Sequence, residues 1–173
     1  MQETLHDLKT RRSCRKYTEQ QITEEELTAV LEAGTYAPTG HGTQSPVMVV
    51  VQDKALRERL SAINGAIMNA KIDPFYGAPT AVIVFADTSV PTGRQDACLV
   101  LGNLMNAAHA IGLGSCWINR AREMFSMPEL ADLREAWGLK PEMEGMGICI
   151  LGYIHPEAKM PCKERKADYI IRA

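Results

Sequence analysis

Four absences narrow what this chain of 173 residues can be. No apolar run is long enough to span a bilayer. The stretch Met1-Gln2-Glu3-Thr4-Leu5 lacks the apolar core of a secretory leader, so a cytoplasmic location is the expectation. The five cysteines (Cys14, Cys98, Cys116, Cys149, Cys162) contain no CxxC spacing, and His6, His41, His109 and His155 fall at no metal-ligand spacing. Neither a zinc site nor a disulfide framework is indicated, and free thiols in a reducing compartment are the plain reading. There is no GxGxxG after a strand and no GxxxxGK[ST], which removes the dinucleotide fingerprint and the P-loop. Excess charge is also missing. A formal net charge of -2 and a pI near 6.1 argue against general nucleic-acid binding.

What is present is an ordinary globular composition, 46% hydrophobic and 23% charged. The length fits one domain, residues 1–173, with a core of its own. On this nearly neutral background, Arg11-Arg12-Ser13-Cys14-Arg15-Lys16-Tyr17 stands out as a local cationic cluster with a hydroxyl. Such a patch suits a small anionic ligand, since arginine offers planar forked donors to phosphate or carbonyl edges. The bland alternative is a set of solvated cations at the end of a short helix, favoured there by the helix dipole.

The pattern predicts a helix over Glu3–Lys9. Thr23 with Glu26 three residues later forms a capping box, followed by Leu27, Val30, Leu31 and Gly34 at helical spacing. Strands are predicted at Val47–Val51, Ala81–Ala86, Ser115–Ile118 and Gly147–Tyr153, and helices from Asp53 and over Pro128–Trp137. A long helix from Gly93 to about Ile111 is apolar nearly all round, so part of its surface is expected against a second subunit. Gly112 and Gly114 can end it through a left-handed cap. Without strict βαβ alternation, the order favours an α+β fold.

Six short pieces now fall in order along the chain. They are Arg11-Arg12-Ser13-x-Arg15; Ala37-Pro38-Thr39-Gly40 with Gln44; Gly77-Ala78-Pro79; Gly112-Leu113-Gly114-Ser115-Cys116-Trp117; Ile150-Leu151-Gly152-Tyr153; and Lys163-x-Arg165. Together they resemble the nitroreductase family of FMN-dependent oxidoreductases, over nearly the whole chain. The resemblance implies a central mixed, mostly antiparallel sheet flanked by helices, in an intertwined homodimer with FMN at the subunit interface. It implies hydride uptake from NADH or NADPH onto flavin N5 and transfer to an electron-poor acceptor such as a nitroaromatic or quinone, in ping-pong fashion. Other reactions on the same fold, such as reductive dehalogenation or flavin fragmentation, and a non-catalytic FMN-binding protein are the alternatives.

By position, the resemblance implies that FMN is held by the segment of Arg11, Arg12 and Ser13, with Arg11 and Ser13 on the phosphate-ribityl side. It implies Arg15 at the N1/O2 edge of the ring, where a cation stabilises the anionic reduced form. Lys163 and Arg165 would close on the phosphate. Pro38, Thr39 and Gly40 would come from the partner subunit, and Trp117, Ile118 and Asn119 would lie along the ring, with backbone donation from Asn119. Asn69 would touch the pyrimidine edge, with Asn64 as its competitor. No side chain is assigned as catalytic acid or base, because the chemistry belongs to the flavin. Gly42 stands where many members have asparagine, and Gln44-Ser45-Pro46 where many have Gln-Pro-Trp. The chain lacks long insertions, so an open substrate site is expected. His41 reads as an exposed loop histidine and Cys116 as a packed thiol, while Trp117 fits core and flavin wall equally.

Overall fold

The computed structural model describes residues 3–173; Met1 and Gln2, which open the stretch read for a leader, lie outside the described residues. Six α-helices occur in chain order among the described residues: α1 Glu3–Thr10, α2 Glu24–Thr35, α3 Lys54–Ile67, α4 Gly93–Ala110, α5 Ala121–Phe125 and α6 Ala131–Ala136. Four strands, β1 Val47–Val51, β2 Thr80–Asp87, β3 Gly114–Ile118 and β4 Met143–Gly152, form one sheet in the order β1-β2-β4-β3. All three strand pairings are antiparallel. The sheet is therefore antiparallel throughout rather than mixed as expected; the parallel contact of Ser13 with Ser115 is an isolated bridge outside the four strands.

Local chemistry sets the element starts. Glu26 N–H donates to Thr23 Oγ1 at 3.2 Å and Thr23 N–H donates to Glu26 Oε2 at 2.8 Å, the reciprocal box expected at α2. Asp53 caps α3 by accepting from Leu56 N–H at 2.8 Å. Gly112, at φ 85°, turns the chain out of α4, and Leu113 N–H closes on the Ala108 carbonyl at 2.8 Å. Gly114 does not share that work, because it already opens β3.

The strand β2 is buried on both faces, with Ala81 to Ala86 fully inaccessible. Its alternate side chains therefore feed two cores. Ile83 and Phe85 join Ile148, Ile150, Leu60, Met124 and Phe125 on the face covered by α3 and α5. Val82 and Val84 join Cys149, Leu151, Val30, Leu101 and Leu104 on the face covered by α2 and α4.

Two predicted elements differ. The helix read over Pro128–Trp137 breaks into a 3-10 turn, Pro128–Leu130, and α6, because Leu130 departs to φ -115° as it enters the core. The last strand begins at Met143 rather than Gly147. Gly145 and Gly147 weaken strand propensity in sequence, yet each admits a close neighbour. A Cβ on Gly145 would stand 2.5 Å from the Ala121 carbonyl oxygen, where α5 packs on the strand.

The apolar surplus read in α4 takes a definite form. One side packs on α2 and the sheet, while Leu99 remains 46% exposed. Leu5, Leu8, Tyr36, Ile111, Ile170 and Ile171 are also exposed in the single chain.

Candidate functional site

The arginine segment is stitched to the end of the sheet. Cys14 N–H donates to the Ser115 carbonyl at 2.9 Å, Thr18 N–H to the Tyr153 carbonyl at 3.0 Å, and His155 N–H to the Lys16 carbonyl at 3.1 Å. Buried Tyr17 locks the turn by donating its hydroxyl to the Cys14 carbonyl at 2.8 Å. Backbone pairing on both sides thus fixes Arg11, Ser13 and Arg15 beside β3, while Cys14 and Tyr17 point into the core.

The arginines have distinct surroundings. Arg12 donates to the carbonyls of Lys9 at 2.8 Å and Arg11 at 2.7 Å, and to the Cys162 thiol, so it ties the tail to the segment. Arg11 has a buried Nη1, and Arg12 a buried Nε, without an acceptor. Arg15 is exposed, and among the described residues no carboxylate lies within ion-pair distance of Arg11, Arg12 or Arg15. Lys163 and Arg165 follow Cys162 in the exposed tail, where Arg165 donates to the Lys163 carbonyl at 2.7 Å. The Arg12–Cys162 contact therefore places the start of the tail that carries Lys163 and Arg165 beside the arginine segment.

A cavity of about 140 Å³ opens beneath β3, lined by Arg15, Met68, Ile72, Pro74, Tyr76 and the run Cys116–Arg120. Asn64, fully buried on α3, reaches this region. It donates to the Asn119 carbonyl at 2.8 Å and leaves its own Oδ1 buried without a donor. Asn69 instead sits exposed in a left-handed turn (φ 56°) past the end of α3. Trp117 lies half-buried with its indole against Gly147: a Cβ there would be 2.8 Å from Trp117 Cε2 and 2.8 Å from Leu101 Cδ1. The indole therefore packs on the α4 face, opposite Cys116 and Ile118.

Burial pushes the Cys116 thiol up, against the pull of the Arg15 cation and a hydrogen bond with Ser13. A thiol held protonated in this way packs rather than reacts. His41 is exposed in a 3-10 turn, Gly40–Gly42, with φ 53°.

Thr39 of the Pro38-Thr39-Gly40 loop lines a different cavity, shared with Met48 and Val100. One carboxylate holds the loop. Asp96, 3% exposed on the first turn of α4, accepts from Gly40 N–H at 3.1 Å and from the Thr92 hydroxyl at 3.0 Å. A more capacious open cleft, about 630 Å³, is lined by Arg94, Arg122 and Glu144. There Glu144 pairs with Arg94 at 2.8 Å and Arg122 at 3.2 Å, so the charges answer one another within the chain.

Residues 8–153 match the family model described as the nitroreductase family. The chain belongs to the nitroreductase family. A Bacteroides fragilis nitroreductase solved with bound FMN superposes with a TM-score of 0.91 at 30% identity, covering 100% of both chains. A protein of Archaeoglobus fulgidus, 30% identical over 159 residues (88% of this chain, 86% of its own length), bears a name that suggests NADH dehydrogenase or NAD(P)H nitroreductase activity. An NAD(P)H-dependent FMN reductase of Bacillus subtilis is 30% identical over 139 residues, 70% of this chain and 56% of its own length.

Within this nitroreductase-family chain, Arg15, Trp117, Ile118 and Asn119 line one cavity, while Ser13 pairs with Ser115 at the start of β3 and Arg11 stands two residues before it. Sequence reasoning passed over Asp96 and Arg120. Asp96 is a lone acid in the first turn of an apolar helix, and Arg120 a cation directly after an apolar strand; those departures from their surroundings were the available signals.

Proposed function

We propose that the chain is an FMN-dependent oxidoreductase that takes reducing equivalents from NADH or NADPH and delivers them to an electron-poor acceptor such as a nitroaromatic or quinone. The observation that carries this reading is that the buried polar atoms without a partner include Arg11 Nη1, in the segment bridged to the start of β3, and Asn64 Oδ1, beside Asn119 just past its end. Buried polar groups are almost always satisfied, so these two call for a ligand that is anionic at one end and offers N–H groups at the other. A flavin mononucleotide meets both demands.

Arg11 and Ser13 would hold the phosphate-ribityl side, and Lys163 and Arg165 would close over the dianionic phosphate. Arg15 would face the N1/O2 edge. Asn64 takes the pyrimidine-edge role in preference to Asn69, because its free Oδ1 is an acceptor held in place by the bond from Nδ2 to Asn119. The Asn119 backbone would present its N–H to the ring. Arg12 serves to anchor the tail.

Bound FMN supplies the two-electron redox chemistry. The protein's part is to bind it, to set its potential through Arg15, and to keep one face open for nicotinamide and acceptor in turn. The cavity of about 140 Å³ is below the roughly 300–1,000 Å³ of complete ligand sites, which supports a second wall from a partner subunit. In that homodimer the partner copy of the Pro38-Thr39-Gly40 loop would supply it, and the exposed Leu99 and Ile111 would be covered.

The experiment is an absorbance spectrum of purified protein, then anaerobic titration with NADH and with NADPH. A yellow protein bleached by at least one nucleotide is expected. A colourless protein that takes up no FMN would sink the proposal.

A further inference from the structure

Arg120 is held at a cost that its own fold does not require. It turns the chain between β3 and α5 at φ 76°, ψ 11°, a left-handed conformation that glycine adopts freely and arginine does not. Its Nε is buried without an acceptor, and among the described residues it forms no ion pair. A strained backbone and an unsatisfied donor at one residue are features that persist where function holds them.

The surroundings define what this side chain could recognise. Arg120 and Arg15 both line the cavity beneath β3, and among the described residues no carboxylate does. Met68, Ile72 and Tyr76 provide an apolar wall. On the proposed reading Arg15 is committed to the cofactor, which leaves Arg120 as the free cation beside the opening. The Asn64 bond to the Asn119 carbonyl fixes the adjoining peptide and so the root of the Arg120 side chain.

We propose that Arg120 is a specificity-determining residue that selects aromatic substrates bearing a carboxylate. The planar guanidinium fork matches a carboxylate in two-point contact, and the apolar wall suits a flat ring. Partial desolvation strengthens the pairing relative to water. The proposal rests on the flavin reading above for the identity of the cavity, but its test is read separately.

Benzoate and benzamide are near-isosteric probes that differ in charge and cannot be reduced. Their affinities for purified protein are measured by calorimetry in the wild type, Arg120→Gly and Arg120→Lys, alongside the flavin absorbance. Glycine is the informative substitution because φ 76° suits it, so the variant is expected to melt no lower than the wild type. The wild type should prefer benzoate. Arg120→Gly should lose benzoate affinity about tenfold, the equivalent of one charge-assisted hydrogen bond, with benzamide unchanged. Arg120→Lys should retain part of the preference. In turnover, the loss should appear in KM for 4-nitrobenzoate with kcat held. No benzoate preference in the wild type, or one that survives in Arg120→Gly, overturns the assignment. Protein that takes up no added FMN yet still shows an Arg120-dependent preference would sink the cofactor reading and leave this one standing.

Discussion

Replacing Asp96 by alanine should cost more stability than replacing it by asparagine, by an amount the hydrogen bonds allow one to set. The carboxylate is 3% exposed and accepts from Gly40 N–H at 3.1 Å and the Thr92 hydroxyl at 3.0 Å. Each hydrogen bond to a charged group contributes about 1.5–3 kcal/mol. Alanine forfeits both, and part of the loss is offset because a charge no longer has to be buried. A net cost of about 2–4 kcal/mol follows. Asparagine keeps an acceptor for Gly40 N–H and can donate its amide to the Thr92 oxygen, so only the charge assistance is lost, about 1 kcal/mol. For a chain of this size, 1 kcal/mol moves the melting temperature by roughly 2–4 °C. Differential scanning calorimetry should therefore place Asp96→Ala about 5–15 °C below the wild type and Asp96→Asn about 2–4 °C below it. If the two variants melt together, or asparagine melts lower, the carboxylate is not holding the Pro38–Gln44 loop through these contacts.

Three further perturbations test other parts of the argument. Gly147→Ala would push a methyl to within 2.8 Å of both the Trp117 ring and Leu101, and overpacking of this kind costs about 1–3 kcal/mol, visible as a lower urea midpoint at constant slope. The Tyr153 hydroxyl, first, and then the Thr23 N–H hold the Glu26 carboxyl below its usual range. Because the folded-state value is depressed, this contribution is full above the unfolded value near pH ~4.3 and is lost as pH falls through the lower folded value. Tyr153→Phe should then melt below the wild type at neutral pH, and the two curves should converge on acidification; a gap constant with pH would refute the linkage. Arg15→Ala should weaken FMN binding or lower the flavin potential, measured by fluorescence titration and dye equilibration, and unchanged values would remove Arg15 from the ring edge.

The elements with strong local signals were legible: the Thr23–Glu26 box, the β-branched runs of β1 and β2, and the Gly112 exit from α4. β2 is a continuous apolar run because both its faces are covered, and the edge strand β1 is a β-branched run with only Val51 buried, so length and β-branching identify them where alternation does not. The start of β4 was hidden because Gly145 and Gly147 are there for what approaches them, α5 and Trp117, and tertiary contacts of that kind leave no periodic trace. The different placements of Asn64 and Asn69 were hidden for a related reason. The two asparagines are five residues apart at the end of one helix, and only the packing of α3 against α5 puts Asn64 inside and leaves Asn69 in a solvent-exposed turn.

The cationic segment shows how the two kinds of information combine. Composition suggests an anion site there and the family resemblance implies a flavin site, but neither separates one arginine from the next. Backbone pairing does. With Ser13 bridged to Ser115 and Tyr17 to Ile154, the intervening side chains have fixed directions, and Arg12 is turned back onto the carbonyls of Lys9 and Arg11. Arg11 keeps a buried Nη1 unspent and Arg12 a buried Nε, and among the described residues no carboxylate lines the cavity where Arg15 stands. The same accounting includes Arg120, which no motif contained. A donor is informative when the fold has buried it and given it no acceptor, and that property appears only once the surrounding backbone has been laid down.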